Sequence, residues 1–167
     1  MDYGLPLSNN DIEEKMCKYG INADFVPYRQ LKYINSLDEI MPCFLLYQHH
    51  FPIGHWVALF RNSQGINYFD PTGRVPDVLL ETNYDHPAGR VKMNADFTYL
   101  NNLLYKCEGK IIYNDYPLQT PESNTCGAWV GVRLLASNIF NDDFVKLFEP
   151  YDGEKRQRKI WALFHHI

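Results

Sequence analysis

Gln119-Thr120-Pro121-Glu122-Ser123-Asn124-Thr125-Cys126-Gly127 runs directly into Ala128-Trp129-Val130-Gly131-Val132-Arg133-Leu134-Leu135, and the change of character at Cys126 organises the chain. Before the cysteine lie small polar residues and a proline, the composition of a loop. After it, Ala128, Trp129, Val132, Leu135, Ala136 and Ile139 recur over a wide face, which predicts a helix buried on most sides. Such a helix needs apolar partners, and the rest of the chain supplies them.

Upstream, Phe44 to Gln48, His55 to Phe60 and Ile66 to Phe69 are short apolar runs of strand length. Asn62-Ser63-Gln64-Gly65 has the residues of a hairpin loop between the last two. Lys110 to Tyr113 reads as a further short strand. Ser8 to Gly20 is predicted helical: Ser8 with Asp11 makes a capping-box pattern, Ile12, Met16 and Tyr19 share one face, and Gly20 supplies the stop. A short helix is expected near Leu37 to Ile40, and Asp96 to Tyr105 is a helix with Phe97, Leu100, Leu103 and Leu104 on one side. Pro71, Gly73, Pro76, Pro87 and Gly89 mark a long irregular section with one helical turn inside it. Asp142 to Phe148 and Glu154 to Phe164 are the last helices. With no repeat, low-complexity tract or linker, the reading is a single α+β domain over residues 1–167, a central mixed β-sheet flanked by helices.

The bulk properties narrow the function. The 167 residues are 46% hydrophobic and 15% aromatic, enough for one buried core. A net charge of −4, with no basic stripe beyond Lys155, Arg156, Arg158 and Lys159, argues against nucleic acid as the main ligand. That run reads as the solvated face of a terminal helix. Met1 is followed by Asp2 and a polar stretch, so no secretion signal is expected. No apolar run approaches a membrane span, so no membrane is expected and the chain is placed inside the cell. Cys17, Cys43, Cys107 and Cys126 lie far apart without a CxxC pair, which signals neither a zinc site nor a disulfide framework. No metal and no organic cofactor is expected.

Four places carry chemistry. A thiol at a helix start, as at Cys126, faces unpaired N–H groups and the positive end of the helix dipole, both of which favour the nucleophilic thiolate. Gly127 beside it removes a side chain that would crowd an incoming carbonyl. His55 opens an apolar strand, next to Gly54, where it can face a cleft. Asp70, at the end of the adjacent strand, either holds the tautomer of that histidine or starts a turn before Pro71. Gln119 precedes the cysteine by seven positions and can present a side-chain N–H to a developing oxyanion, with the Cys126 backbone N–H as second donor.

Taken together, Gly54-His55-Trp56-Val57-Ala58-Leu59, Phe69-Asp70-Pro71-Thr72-Gly73 and Gln119 through Asn124-Thr125-Cys126-Gly127 resemble the adenovirus-type (adenain-like) cysteine proteases, and more distantly the ubiquitin-like-protein proteases of the same clan. The likeness spans most of the chain and includes the helix leading into Phe25-Val26-Pro27-Tyr28. In size it is nearest to the capsid-maturation proteases of adenoviruses, virophages and related DNA viruses. The resemblance implies a papain-like active site in a reordered chain, His before Cys, with His55, Asp70, Gln119 and Cys126 catalytic and Trp56, Gly54, Asn124 and Gly127 against the substrate. Trp56 would roof a narrow channel that admits glycine near the scissile bond; packing of its ring at a strand end is the other reading. Asp70 departs from the glutamate frequent in adenoviral enzymes.

The implied function is an endopeptidase that processes viral capsid or core precursors at glycine-containing sites, in the host-cell cytoplasm or nucleus and in the virion. The implied partner is a polypeptide substrate. Adenoviral relatives are stimulated by DNA, which this acidic chain does not favour, and by a peptide attached through a cysteine, for which Cys107 stands in nearly the right place or is simply a helix-end residue. A deubiquitinase or deSUMOylase acting on ubiquitin-like modifiers would share every catalytic residue. An acetyltransferase with the same residue set and a non-catalytic binding protein are the remaining readings.

Overall fold

The computed structural model describes residues 7–50, 53–77, 83–86, 89–92 and 98–167. Helix α1 (Asn9–Lys18) begins on the expected capping box, with the Asp11 N–H donating to Ser8 Oγ and the Ser8 N–H to the Asp11 carboxylate at 2.9 Å. Ile12 and Met16 face inward. Tyr19 does not share that face; it falls in the turn after the helix and is exposed, and Gly20 closes the turn with positive φ.

Five strands form the main sheet: β1 (Asp24–Pro27), β2 (Cys43–His50), β3 (Ile53–Asn62), β4 (Gly65–Phe69) and β7 (Ile111–Tyr113), in the order β1-β2-β3-β4-β7. β2, β3 and β4 pair antiparallel, while β1 and β7 add parallel at the two edges, so the sheet is mixed. β1 lies in the stretch after Gly20, where the sequence predicts no strand. It has four residues, ends in a proline, and sits at an edge where the missing N–H costs no ladder bond. A separate antiparallel pair, β5 (Asn83–His86) and β6 (Gly89–Lys92), replaces part of the expected irregular section; its residues do not alternate apolar with polar. The expected helical turn in that section, where it falls on 78–82, lies outside the described residues, as do Asp96 and Phe97 of the predicted helix.

Alternation along β3 divides the core. Val57 and Leu59 face one side, with Leu45, Tyr47, Ile66 and Tyr68, against the 3₁₀ segment Tyr28–Tyr33 and helix α2 (Tyr99–Lys106). Trp56, Ala58 and Phe60 face the other, against α1, α3 (Cys126–Leu135), α4 (Asn141–Lys146) and α5 (Gly153–His166). The fold is therefore α+β, a mixed sheet between two helical layers.

Helix α3 is buried on most sides as expected, but its inner face runs through Ala128, Trp129, Val130, Arg133 and Leu134, and it stops before Ile139. Arg133 accounts for both differences. Its guanidinium is fully buried between the rings of Phe60 and Phe144, at 4.6 and 4.9 Å, and donates to the carbonyls of Ala136 and Ile139 at 2.7 and 3.0 Å. Those carbonyls belong to the turn that ends the helix, so the charge is used to fold the chain back. Burial lowers its pKa to about 10.

Candidate active site

β3 and β4 are adjacent, with Ala58 paired to Phe69, so Asp70 emerges from β4 beside the β3 segment that carries His55. Both side chains are fully buried. His55 Nε2 lies 2.7 Å from Asp70 Oδ1. The same oxygen accepts the Thr72 N–H at 2.8 Å and the Thr72 hydroxyl at 2.7 Å, and the Gly73 N–H donates to the Asp70 carbonyl at 2.9 Å. The two readings of Asp70 thus hold at once: its carboxylate meets the imidazole and also starts the turn.

Asn114, also buried, clamps the Asp70 main chain from the other side. Its Oδ1 accepts the Asp70 N–H at 3.0 Å and its Nδ2 donates to the Asp70 carbonyl at 2.6 Å. The carboxylate is held by fixed neighbours, and Oδ2 remains buried without a partner among the described residues.

Cys126 is the first residue of α3 and is partly exposed. Burial works against its thiolate, but a hydrogen bond with His55, the charge of His55, and the N–H groups of Trp56 and Gly127 aimed at the sulfur outweigh it. The net effect lowers the thiol pKa. With Nε2 committed to Asp70, the contact with Cys126 falls to His55 Nδ1. Carboxylate, imidazole and thiol are therefore connected in sequence. The other thiols differ: Cys43 is buried and pushed up to about 12 by desolvation and the charge of Asp24, and Cys17 is exposed. Cys107 follows the end of α2 and donates to the Leu103 carbonyl at 3.2 Å, beside a groove lined by Asn35, Asp38, Arg61 and Lys106.

Gln119 is 6% exposed. Its backbone N–H and that of Leu118 both donate to the Pro71 carbonyl, at 2.8 and 2.9 Å, which ties this loop to the turn after Asp70. One amide N–H of its side chain is bonded to the Ser123 carbonyl at 2.8 Å. Gly73 permits this meeting of loops: it has φ +72°, and a Cβ there would lie 2.8 Å from Pro117 N and from the Tyr116 carbonyl carbon.

The remaining expected positions sort differently. Trp56 is 8% exposed, lies inside β3, and stands edge-on to Phe25 and Phe44 at 5.7 and 6.3 Å, so most of its ring is packed against these neighbours. A Cβ on Gly54 would press Leu46 Cδ1 at 2.6 Å and the Tyr47 carbonyl at 3.0 Å, so this glycine admits its neighbour strand. Gly127 faces Ile12 and Leu7, which makes it a contact for α1. Asn124 is half-buried in the loop before Cys126.

Sequence reasoning missed Asn114 and Gln157. Gln157 lies within the basic run read as solvated, yet it is fully buried and accepts from Thr125 Oγ1 at 2.6 Å and Trp129 Nε1 at 2.9 Å. Its signal was spacing: Gln157, Ile160 and Phe164 share one helical face. Among the described residues no group of three or more His, Cys, Asp or Glu side chains is placed to hold a metal ion, and no helix is long and apolar enough to cross a membrane.

Compared with known proteins, the chain is 32% identical over 149 residues to the uncharacterized protein V9 of Sputnik virophage, across 85% of this chain and 82% of that protein. No family model matches the chain. No solved structure matches it either.

Proposed function

This chain belongs to the same family as protein V9 of Sputnik virophage, and we propose that it is a cysteine endopeptidase. The observation that carries the reading is the buried connection from Asp70 through His55 to a Cys126 thiol whose pKa is lowered. Structural cysteines do not need such partners; nucleophilic ones do.

In the proposed reaction His55 Nδ1 takes the thiol proton and Sγ adds to the scissile carbonyl carbon, sending the π pair to oxygen. The Cys126 N–H and the Gln119 amide donate to that oxyanion, and losing one such donor costs about a hundred- to thousandfold in turnover. The tetrahedral centre collapses, the C–N bond breaks, and the leaving amine takes the proton from His55. Water, activated by the same imidazole, then hydrolyses the thioester. Asp70 keeps the proton of the neutral ring on Nε2, leaving Nδ1 as the base, and stabilises the imidazolium.

The proposed substrates are viral precursor proteins, cut at the glycine-containing sites that the sequence resemblance implies. A peptide-library digest comparing wild type with Cys126→Ala tests the reading: cleavage after glycine, abolished in the variant, is expected. Equal cleavage by both proteins would refute it, and efficient cleavage after Arg, Leu or Phe would remove the glycine preference alone. Processing of ubiquitin-like precursors in preference to every library peptide would move the assignment to the isopeptidase reading.

A further inference from the structure

We propose that Gln157 is a positioning residue that sets the distance between the Gln119 amide and the Cys126 backbone N–H. The inference rests on the cysteine-protease reading, because these are the two donors assigned to the oxyanion.

Gln157 lies on α5, and its amide reaches both sides of the loop. Oε1 accepts from Thr125 Oγ1 at 2.6 Å and from Trp129 Nε1 at 2.9 Å, with Ser123 Oγ at 3.4 Å. Nε2 donates to the Leu118 carbonyl at 2.9 Å and to the Gly153 carbonyl at 3.2 Å. Leu118 immediately precedes Gln119, Thr125 immediately precedes Cys126, and Trp129 is in the first turn of α3. One side chain therefore joins the residues before both oxyanion donors and the helix that carries one of them.

The amide has one orientation. The indole N–H of Trp129 is a donor without acceptor capacity, so the oxygen must face it, and the NH₂ group must then face the Leu118 carbonyl. The reach is also fixed, because α5 lies close on α3. A Cβ on Gly131 would meet the Phe164 ring at 2.8 Å.

The Thr125 hydroxyl points to a role beyond packing. Thr125 occupies the N-cap position of α3, where a hydroxyl normally accepts from the first N–H groups of its own helix. Here no side-chain cap is made; the hydroxyl donates to Gln157 instead. The helix start is left to other ligands, and the Gly127 N–H already points at the sulfur.

Two reactions at Cys126 separate this role from general support. Alkylation by iodoacetamide is a displacement at carbon and forms no oxyanion. Acylation by p-nitrophenyl acetate does: the thiolate adds to the ester carbonyl, the π pair moves to oxygen, and collapse expels p-nitrophenolate to leave an S-acetyl thioester. In Gln157→Met the ratio of acylation to alkylation rate should fall about ten- to a hundredfold, while the pH dependence of alkylation stays in place. Gln119→Ala should lower the same ratio, and the double variant should lose little more than the worse single one. Gln157→Asn keeps an amide but is a methylene shorter, so it should show the same loss and serves where the methionine variant does not fold. An unchanged ratio in a folded variant, or losses that multiply in the double variant, would overturn the proposal. A wild-type chain acylated by the ester but inert toward peptides and ubiquitin-like precursors would refute the protease reading and leave the positioning role standing. One alkylated but never acylated would refute both.

Discussion

Asp70→Asn separates the two services of the Asp70 carboxylate, orientation and charge. Oδ1 takes three donors: His55 Nε2, the Thr72 N–H and the Thr72 hydroxyl. The Thr72 N–H cannot accept, so the asparagine oxygen must take the Oδ1 position and its NH₂ group the Oδ2 side. His55 then keeps its Nε2 proton and an unprotonated Nδ1 facing Cys126, and what is lost is the negative charge. A hydrogen bond to a charged group contributes about 1.5–3 kcal/mol and a neutral one about 0.5–1.5, a difference of about 1–1.5 kcal/mol. That corresponds to about tenfold in rate. The expected result is kcat/KM lower by about tenfold, far short of the about thousandfold or greater loss expected for Asp70→Ala, which frees the ring. The acid limb of Cys126 alkylation should move to higher pH, because a less stabilised imidazolium lets the thiol pKa climb back toward its ordinary value. A thiol held low in the folded chain contributes stability that is full above its unfolded pKa and is lost as pH falls through the folded value, so raising the folded value shrinks that contribution from below. The new NH₂ group would also sit where Oδ2 has no partner among the described residues, costing about 1–3 kcal/mol. At about 2–4 °C per kcal/mol, thermal unfolding should register the change. Peptide hydrolysis and alkylation, each followed against pH, read the kinetic outcomes. If asparagine were as damaging as alanine, with the alkylation limb unmoved, the tautomer argument would be wrong.

Two further outcomes follow from the site. At neutral pH iodoacetamide should label Cys126 first and Cys43 last, since one thiol is lowered and the other is raised to about 12 by burial; peptide mass spectrometry after brief exposure reads the order, and labelling of Cys43 ahead of Cys126 would contradict it. Gly73→Ala should cost at least about 1 kcal/mol for the positive φ alone, and the clash with Tyr116 and Pro117 should displace the segment leading to Gln119. The expected signature is a lower Tm together with a kcat that falls more than KM rises, and a variant with wild-type turnover would show that the two loops move independently.

What was legible and what was not divide along a physical line. Asp70 and Cys126 stand at the ends of elements and His55 two residues inside the start of β3, and a reactive side chain at such places has few structural reasons to be there. Their meeting required only that neighbouring strands pair and that the apolar helix lie on the sheet, which the hydrophobic runs predict. The supports were hidden because their partners are backbone groups brought from far along the chain. Asn114 reaches across 44 residues to the Asp70 main chain, and nothing in Tyr113-Asn114-Asp115 distinguishes it from a turn asparagine. β1 was hidden for another reason: four residues ending in proline carry too little pattern, and its parallel partner β2 begins 16 positions later. Gln157 is the instructive case, because a signal was present and the charges around it concealed it. Lys155, Arg156, Arg158 and Lys159 make the segment read as solvated, yet a helix returns to one face every three or four residues. Position 157 falls on the stripe of Ile160 and Phe164, and a glutamine there must find partners for both ends of its amide or bear the cost of leaving them buried. A lone amide on an apolar stripe therefore predicts a polar partner across the interface, and the loop before Cys126, with the buried Thr125 hydroxyl and Leu118 carbonyl, is where that partner lies.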